Sequence, residues 1–187
     1  VLVNGTNVKE YTEEGLRNKI GIVPQKAVLF KGTIRSNLLW GNESATENDL
    51  MEALKQAQSY DFVMQKENGI DSVVEQNGRN FSGGQRQRLT IARALVRKPE
   101  ILILDDSSSA LDYTTDANLR KEIAKLKDMT VFIVSQRTAS IMDADQIVVL
   151  DDGNVMGIGT HKDLLENCEV YKEIYESQFK KPEKEGM

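Results

Sequence analysis

Two short segments of this chain, one opening a helix and one ending a strand, constrain its fold more than any others. Residues 80–88 read NFSGGQRQR, and residues 101–106 read ILILDD. A Ser-Gly-Gly-Gln turn at the start of a helix lets backbone N–H groups approach an anion closely. An apolar strand that stops at an aspartate places a carboxylate where open α/β sheets bind ligands. Together the two segments predict an α/β fold that binds phosphate with magnesium.

Composition narrows the class of protein. The chain has 187 residues, 28% of them charged and 40% hydrophobic, which is typical of one globular domain with or without an insert. Its formal net charge of -5 argues against a nucleic-acid partner, which requires clustered excess Lys and Arg. The single cysteine, Cys168, excludes an internal disulfide and fits a reducing compartment. No apolar run is long enough to cross a bilayer.

Apolar periodicity predicts alternating strands and helices. Strands are predicted at residues 1–3, 19–23, 101–104, 131–134 and 147–150, the last in a hairpin with residues 155–158. Helices are predicted within residues 33–80 with Thr46 as a cap, at residues 82–97, near residues 119–126, and from His161 to Phe179. The apolar run at residues 101–104 suits a parallel strand covered on both faces, and residues 131–134 and 147–150 are predicted as further buried strands.

This alternation predicts an α/β fold with a parallel sheet and an inserted helical subdomain. We expect the core to comprise residues 1–25 and 98–187, and the insert to comprise residues 26–97.

Candidate site residues lie at helix starts and strand ends. Ser82, Gly83, Gly84 and Gln85 offer backbone N–H groups and a helix dipole to a phosphate. Asp105 ends an apolar strand, and a carboxylate there can hold Mg²⁺, usually through water.

Gln25, after the strand at residues 19–23, can offer its carbonyl to a metal or its amide to a water. Ser109 and Asp112, in the segment SALD, complete the set of acidic and hydroxyl groups downstream of Asp105.

These pieces resemble the nucleotide-binding domain of exporter-type ATP-binding cassette (ABC) transporters over essentially the whole chain. Residues 23–25 (VPQ) resemble the Q-loop, 29–34 (LFKGTI) the exporter-type sequence that follows it, 75–78 (EQNG) the X-loop, 82–85 (SGGQ) the signature, 101–105 (ILILD) the Walker B strand, 109–112 (SALD) the D-loop, and 159–164 (GTHKDL) an exporter pattern near the domain end. The resemblance implies a P-loop NTPase-like core that binds ATP and Mg²⁺.

The resemblance also implies partners and a location. In this family two nucleotide-binding domains close head to tail, so that the signature and D-loop of one complete the ATP site of the other. It implies contacts with transmembrane domains through residues 25–37 and 75–78, at the cytoplasmic face of the cell membrane. The exported substrate, of the multidrug or lipid kind, is chosen by membrane helices that these residues do not include.

The sequence departs from the family pattern at the phosphate-binding loop. It contains no Gly-x-x-x-x-Gly-Lys-[Ser/Thr] segment, and it begins at Val1 in a strand-like run. We therefore expect a fragment of a longer subunit, with the first core strand and the phosphate loop preceding Val1. On this expectation the sheet is incomplete, and the fragment alone binds ATP negligibly and is inactive.

Two further departures fall in the hydrolytic apparatus. Asp106 stands where the family has its catalytic glutamate, and its carboxylate is shorter in reach by roughly 1–1.5 Å. Misplacement on that scale can cost about 10²-fold in rate. Gln136 stands where the family has its switch histidine; it can donate an N–H to a γ-phosphate but cannot carry charge. The only histidine, His161, lies elsewhere, in the GTH pattern.

These departures predict a hydrolysis-impaired site with catalytic positions Asp106, Gln136 and Gln25. The intact signature would then serve the active site of a different partner domain in a heterodimer. Two alternatives remain: a non-hydrolytic regulatory module in which ATP only joins two domains, and an inactive truncated remnant. The exporter hypothesis requires both transmembrane helices and a phosphate loop upstream of this segment. The regulatory hypothesis requires the phosphate loop without the helices, and the remnant hypothesis requires neither.

Overall fold

The structure is a computed structural model that describes residues 1–179. The chain divides into two compact units, Val1–Val134 and Ser135–Met187. The elements of the first unit, in chain order, are β1 (Leu2–Val3), β2 (Thr6–Asn7), α1 (Glu13–Lys19), β3 (Ile20–Val23), β4 (Gly32–Thr33), α2 (Ile34–Leu39), α3 (Glu47–Gln56), α4 (Tyr60–Met64), β5 (Val73–Val74), α5 (Gly83–Val96), β6 (Ile101–Asp105), α6 (Tyr113–Ile123) and β7 (Thr130–Val134). Those of the second are β8 (Ile147–Asp151), β9 (Asn154–Gly159), α7 (His161–Asn167) and α8 (Glu169–Phe179).

A three-stranded parallel sheet forms the centre of the first unit, in the order β3-β6-β7. In its register Val23 lies opposite Leu104, and Asp105 lies opposite Val134, so the carboxyl ends of the strands meet at one edge. The predicted mixed α/β fold with a parallel sheet is therefore confirmed. This register brings the segments after β3 and β6 together at the edge where such sheets bind ligands.

Only one face of this sheet is covered by the described residues. Val23, Leu102 and Leu104 are buried, in a core shared with the apolar face of α5. On the opposite face Ile22 is 60% exposed and Phe132 is 55% exposed. The prediction that the strand at residues 131–134 is buried is therefore wrong for the described residues. The strand at residues 101–104, predicted to be covered on both faces, is fully covered on one and only partly on the other, where Ile103 is half-buried. An apolar strand sequence indicates a surface that can be buried, but it does not determine whether another element covers that surface.

The segment between β3 and β6 is helical, as predicted, and its helix starts are fixed by local hydrogen bonds. Thr46 caps α3 by accepting from the N–H of Asp49, and the Asp49 carboxylate accepts from the N–H of Thr46 in return. The predicted apolar face of this helix is confirmed, because all four of its members are buried: Leu50, Ala53, Leu54 and Ala57. The pairing of β4 with β5, antiparallel and 2 residues long in each strand, was not predicted.

The second unit is an antiparallel hairpin with two helices. Strands β8 and β9 turn at Asp152 and Gly153, both at positive φ, which confirms the predicted hairpin. The strand at residues 147–150 was predicted to be buried; Ile147 and Val149 are, whereas Leu150 is 63% exposed.

The single helix predicted from His161 to Phe179 is wrong, because the chain forms α7 and α8 with a break at Cys168. Cys168 has an extended backbone, with φ -130° and ψ 101°. Its side chain is buried against β9, where a Cβ on Gly157 would lie 3.0 Å from its Sγ. The helix is interrupted at the residue that packs into this close contact.

Candidate functional site

The start of α5 has the geometry predicted for an anion-binding helix terminus. Ser82 has an extended backbone and its Oγ accepts from the N–H of Gln85 at 3.2 Å. The Oε1 of Gln85 accepts from the N–H of Ser82 at 3.0 Å, which closes a capping box. Gly83 and Gly84 occupy the first turn, where backbone N–H groups have no acceptor within the helix. The sequence therefore folds locally into a terminus with free N–H groups.

Gly84 brings this helix start against the segment after β6. A Cβ at Gly84 would lie 3.1 Å from the carbonyl oxygen of Ala110, whereas a Cβ at Gly83 would lie no closer than 4.0 Å, to Arg86 Nη2. The glycine at position 84 thus permits close backbone contact within the protein. The glycine at position 83 leaves space on the outer side of the turn.

The two acids after β6 differ in backbone and in partners. Asp105 is exposed at the carboxyl end of the strand. Asp106 has a left-handed backbone, with φ 42°, and its N–H donates to the carbonyl oxygen of Val134 at 2.9 Å. Its own carbonyl oxygen accepts from the Oγ of Ser109 at 2.9 Å. The position of Asp106 is therefore fixed by backbone hydrogen bonds on both sides.

Gln25 and Asp106, which are 81 residues apart in sequence, are in direct contact. The Nε2 of Gln25 donates to the Oδ2 of Asp106 at 3.1 Å. The parallel pairing of β3 with β6 produces this contact, because each residue follows the end of its strand. The sequence indicated both residues separately, but it carried no signal that their side chains meet.

Asp112 is the cap of α6. Its Oδ1 accepts from the N–H of Thr115 at 2.9 Å and its Oδ2 accepts from the Oγ1 of Thr115 at 2.7 Å. These hydrogen bonds, the backbone one first, hold the pKa of Asp112 below its usual range. The carboxylate is exposed and remains ionised at neutral pH, so it faces any partner as a negative charge.

The fit of a magnesium ion can be judged from the donor set. Within residues 1–179, no group of three or more His, Cys, Asp or Glu side chains is placed to hold a metal ion. Mg²⁺ commonly keeps several waters and takes one or two protein oxygens together with substrate phosphates. Asp105 and the Oε1 of Gln25, at the ends of neighbouring strands, are oxygen donors suited to that mode. The residues present therefore fit Mg²⁺ bound together with a phosphate.

An open cleft of about 510 Å³ lies between the segment after β3 and the start of α5. Gln25 and Gly83 both line it, together with the cationic Lys26, Arg79 and Arg86. Sequence reasoning missed these three cations as members of one group. The guanidinium of Arg86 donates to the carbonyl oxygen of Phe81 at 2.7 Å, which ties it to the residue before Ser82.

Gln136 belongs to the second unit, two residues beyond the end of β7. Its side chain is exposed, and its carbonyl oxygen accepts from the Nε2 of Gln178 at 2.7 Å. His161 begins α7, and its Nδ1 lies 2.8 Å from the hydroxyl of Tyr171.

Comparisons with known proteins identify the family. Residues 1–109 match the family model described as ABC transporter. An uncharacterized ABC transporter ATP-binding protein of Bacillus subtilis, YfiB, is 47% identical over 179 residues, which cover 96% of this chain and 31% of that protein. An uncharacterized ABC transporter ATP-binding protein of Mycobacterium tuberculosis, Rv1273c, is 44% identical over 182 residues, covering 95% of this chain and 31% of that protein.

Two further similarities concern exporters. A Staphylococcus aureus protein named provisionally as a multidrug export ATP-binding/permease protein is 40% identical over 179 residues, covering 95% of this chain and 31% of that protein. A bacterial Atm1-family ABC exporter, solved with ATP bound, superposes with a TM-score of 0.92 at 35% identity, covering 96% of this chain and 32% of that one.

A parallel sheet with acids at its carboxyl edge and a glycine-opened helix define a nucleotide-binding α/β protein. The chain belongs to the ABC transporter family, and it has the mixed α/β fold of that family's nucleotide-binding domain, with exporter-type relatives. It spans about a third of the length of the curated relatives it matches. In the part of the chain that the structure describes, no helix combines the length and apolar content needed to cross a bilayer.

Proposed function

We propose that this chain is the ATP-binding part of an ABC exporter subunit whose own site hydrolyses ATP slowly and whose signature completes the active site of a partner. The exporter-type relatives support the transport role. The contact between Gln25 and Asp106 is the observation that carries the finer proposal. The subunit would act at the cytoplasmic face of the cell membrane, with residues 1–25 and 98–187 as its core and residues 26–97 as the helical insert.

Asp106 is poorly placed to activate a water. Its carboxylate has a shorter reach than that of a glutamate, and the amide of Gln25 already occupies one of its oxygens. The hydrogen bonds on either side of its backbone oppose any shift of the main chain that would restore the reach. A water that is not aligned by this carboxylate loses the assistance of a general base, which is worth roughly 10²–10⁴-fold in rate.

We propose that Gln136 is a second, independent cause of slow hydrolysis. In our proposal its exposed amide donates an N–H to the γ-phosphate, as a histidine would. It supplies no positive charge to the oxygens that become more negative during phosphoryl transfer, so the transition state is less stabilised. Mg²⁺, held by Asp105 and Gln25, would neutralise part of the phosphate charge when bound.

The geometry at the start of α5 supports the proposed role as a signature. The capping box at Ser82 and Gln85 fixes the helix start, and the open space at Gly83 lets a phosphate approach the N–H groups. Asp112 and Ser109 lie in the segment that touches Gly84 through Ala110, so one surface of this chain carries both groups. We propose that this surface closes on the ATP of a second, different nucleotide-binding domain, head to tail.

The proposed transmembrane contact is supported by the pairing of β4 with β5. Residues 25–37 and 75–78 are far apart in sequence, but Gly32 and Thr33 of the first segment pair with Val74 and Val73, which directly precede the second segment. Asn37 fixes the first of them, because its side chain bonds both backbone groups of Phe30 at 2.8 Å. In our proposal both segments contact the membrane-spanning partner on the same side of this strand pair.

The test restores the family residues in the complete transporter. We expect Asp106→Glu with Gln136→His to raise ATP turnover at this site by about tenfold or more, because general-base assistance is regained. Turnover would be measured with the partner's own site inactivated, in the purified complex of both subunits. Each single change serves as a control and should give a smaller gain, since the two groups act on the same step.

The remaining outcomes separate the alternatives. ATP binding with no gain from the double change would count against an impaired hydrolytic site and favour a non-hydrolytic module. A full subunit that does not bind ATP at all would favour an inactive remnant.

A further inference from the structure

One side chain of the last helix holds the turn that contains Gln136. The Oε1 of Gln178, on α8, accepts from the N–H of Thr138 at 3.0 Å and from its Oγ1 at 2.8 Å. The Nε2 of Gln178 donates to the carbonyl oxygen of Gln136 at 2.7 Å. All three hydrogen bonds lie within the second unit and link residues about 40 positions apart.

The chemistry of this contact suits glutamine. The turn presents two donors from Thr138 and one acceptor from Gln136. A carboxamide has an oxygen that can accept from both donors and an N–H that can donate to the acceptor. A glutamate would keep the acceptor and lose the donor, and a leucine would lose both. Thr138 is buried, with 2% of its surface exposed, so loss of the acceptor would leave its N–H without a partner at a substantial cost.

The hydrogen bonds fix the backbone of the turn and leave the side chain of Gln136 exposed. The helix has its own anchor, because Tyr171 is 2% exposed in a core with Ile147, Val149 and Leu164. The hydrogen bonds of Gln178 are therefore additional to the apolar packing that anchors α8. They link α8 to both ends of the turn at residues 136–138, which is also held by the hydrogen bond from the N–H of Arg137 to the Oγ of Ser135.

We propose that Gln178 is a positioning residue for the nucleotide site, acting through the backbone of Gln136. It fixes the turn so that the side chain at position 136 is presented to the γ-phosphate. This inference rests on the proposed function, which places the residue at position 136 at the phosphate. Gln178 itself makes no contact with the nucleotide in this scheme, and the group at position 136 acts mainly on charge that develops during phosphoryl transfer, so we expect a larger effect on kcat than on the KM for ATP.

The experiment uses the complete transporter carrying Asp106→Glu and Gln136→His, in which turnover at this site is measurable. We expect Gln178→Leu to lower kcat about tenfold or more while the KM for ATP stays within about threefold. Gln178→Glu, which keeps both bonds from Thr138, should retain part of the rate. The matched control is Ser177→Ala, on the adjacent residue, whose hydroxyl donates only to the carbonyl oxygen of Ile174 and should leave kcat unchanged.

A kcat that is unchanged by Gln178→Leu, with the gain from the double change still present, would overturn the inference. If the double change gives no gain, the proposed function has failed, and the inference is then tested by hydrogen exchange at the Thr138 amide of the natural complex. We expect the Thr138 amide of the natural chain to exchange slowly, and to exchange more slowly still when ATP is bound. In Gln178→Leu we expect ATP to have no effect on this exchange rate. An identical response to ATP in both proteins would overturn the inference in that case.

Discussion

Asp106 is a residue that suits the local backbone conformation but, in our proposal, limits the rate of ATP hydrolysis. Its φ of 42° lies in the left-handed region, which Asp and Asn adopt several times more readily than most side chains do. Aspartate therefore suits the backbone at this position, although its carboxylate reaches less far than that of a glutamate. We infer that Asp106→Glu trades some backbone strain for a better catalytic position, a trade typical of functional sites.

The pKa of a second single residue, Asp49, predicts how the stability of the domain depends on pH. The Lys98 ammonium, followed by the hydroxyl and N–H of Thr46, holds the pKa of the Asp49 carboxyl well below its usual range. Because the pKa is depressed in the folded state, the stabilisation is fully present above the unfolded value of about 3.9 and is lost as the pH falls below it. We expect Asp49→Asn to destabilise the domain at pH 7 and to cost progressively less below about pH 4.

Urea unfolding between pH 7 and pH 3 measures this effect. Lys98→Met is the matched control, since it removes the partner of Asp49 and should reproduce part of the loss. A difference between the natural and Asp49→Asn proteins that is the same at pH 7 and pH 3 would contradict the assignment.

Among the elements, the contact of α2 with α5 depends on one glycine. A Cβ at Gly41, just after α2, would lie 2.1 Å from the carbonyl oxygen of Arg93 on α5. No rotamer change can relieve a clash with backbone, so the two helices would have to move apart. Overpacking of this kind costs about 1–3 kcal/mol, and occasionally more.

We therefore expect Gly41→Ala to lower the free energy of unfolding by about 3 kcal/mol. Gly83→Ala is the control, because its new Cβ would meet nothing closer than 4.0 Å and alanine is the better helix former. Urea denaturation of the purified domain measures both. Equal effects of the two substitutions on the free energy of unfolding would show that glycine is not required at position 41 for the close approach of α2 to α5.

At the scale of the whole molecule, the parallel sheet has an apolar face that the described residues do not cover. Ile22, Phe132 and Val134 are 60%, 55% and 56% exposed on β3 and β7. Contiguous exposed apolar surface of this kind drives association in water. We therefore expect isolated copies of the chain to bury this face against one another.

We expect the isolated 187-residue chain to self-associate, and Phe132→Ser to increase its monomeric fraction severalfold by removing apolar area from this face. Light scattering of the purified chain measures the fraction. Tyr113→Ser is the matched control, since Tyr113 is 73% exposed but begins α6 and is not part of a strand of the sheet. A gain of the same size from both changes would assign association to general surface hydrophobicity.

The sequence by itself determined the features that arise from short-range hydrogen bonds and apolar spacing. The capping boxes at Thr46 and Ser82 and the hairpin turn at Asp152 and Gly153 lie where the sequence predicted them. The positions of the core strands could also be predicted, because short apolar runs bounded by turn residues and alternating with helical segments are typical of strands in α/β folds. The caps and the turn depend on residues within about four positions of each other, so the local sequence is sufficient to determine them.

Only the tertiary structure decided which distant residues meet and which faces are covered. The contact of Gln25 with Asp106 spans 81 positions and that of Gln178 with Thr138 spans 40, and neither leaves a local pattern. The break at Cys168 likewise follows from packing against Gly157 of a neighbouring strand and interrupts a sequence that is locally helical. Such contacts are set by strand order and by the fit of packed surfaces, which the spacing of residues along the chain does not specify.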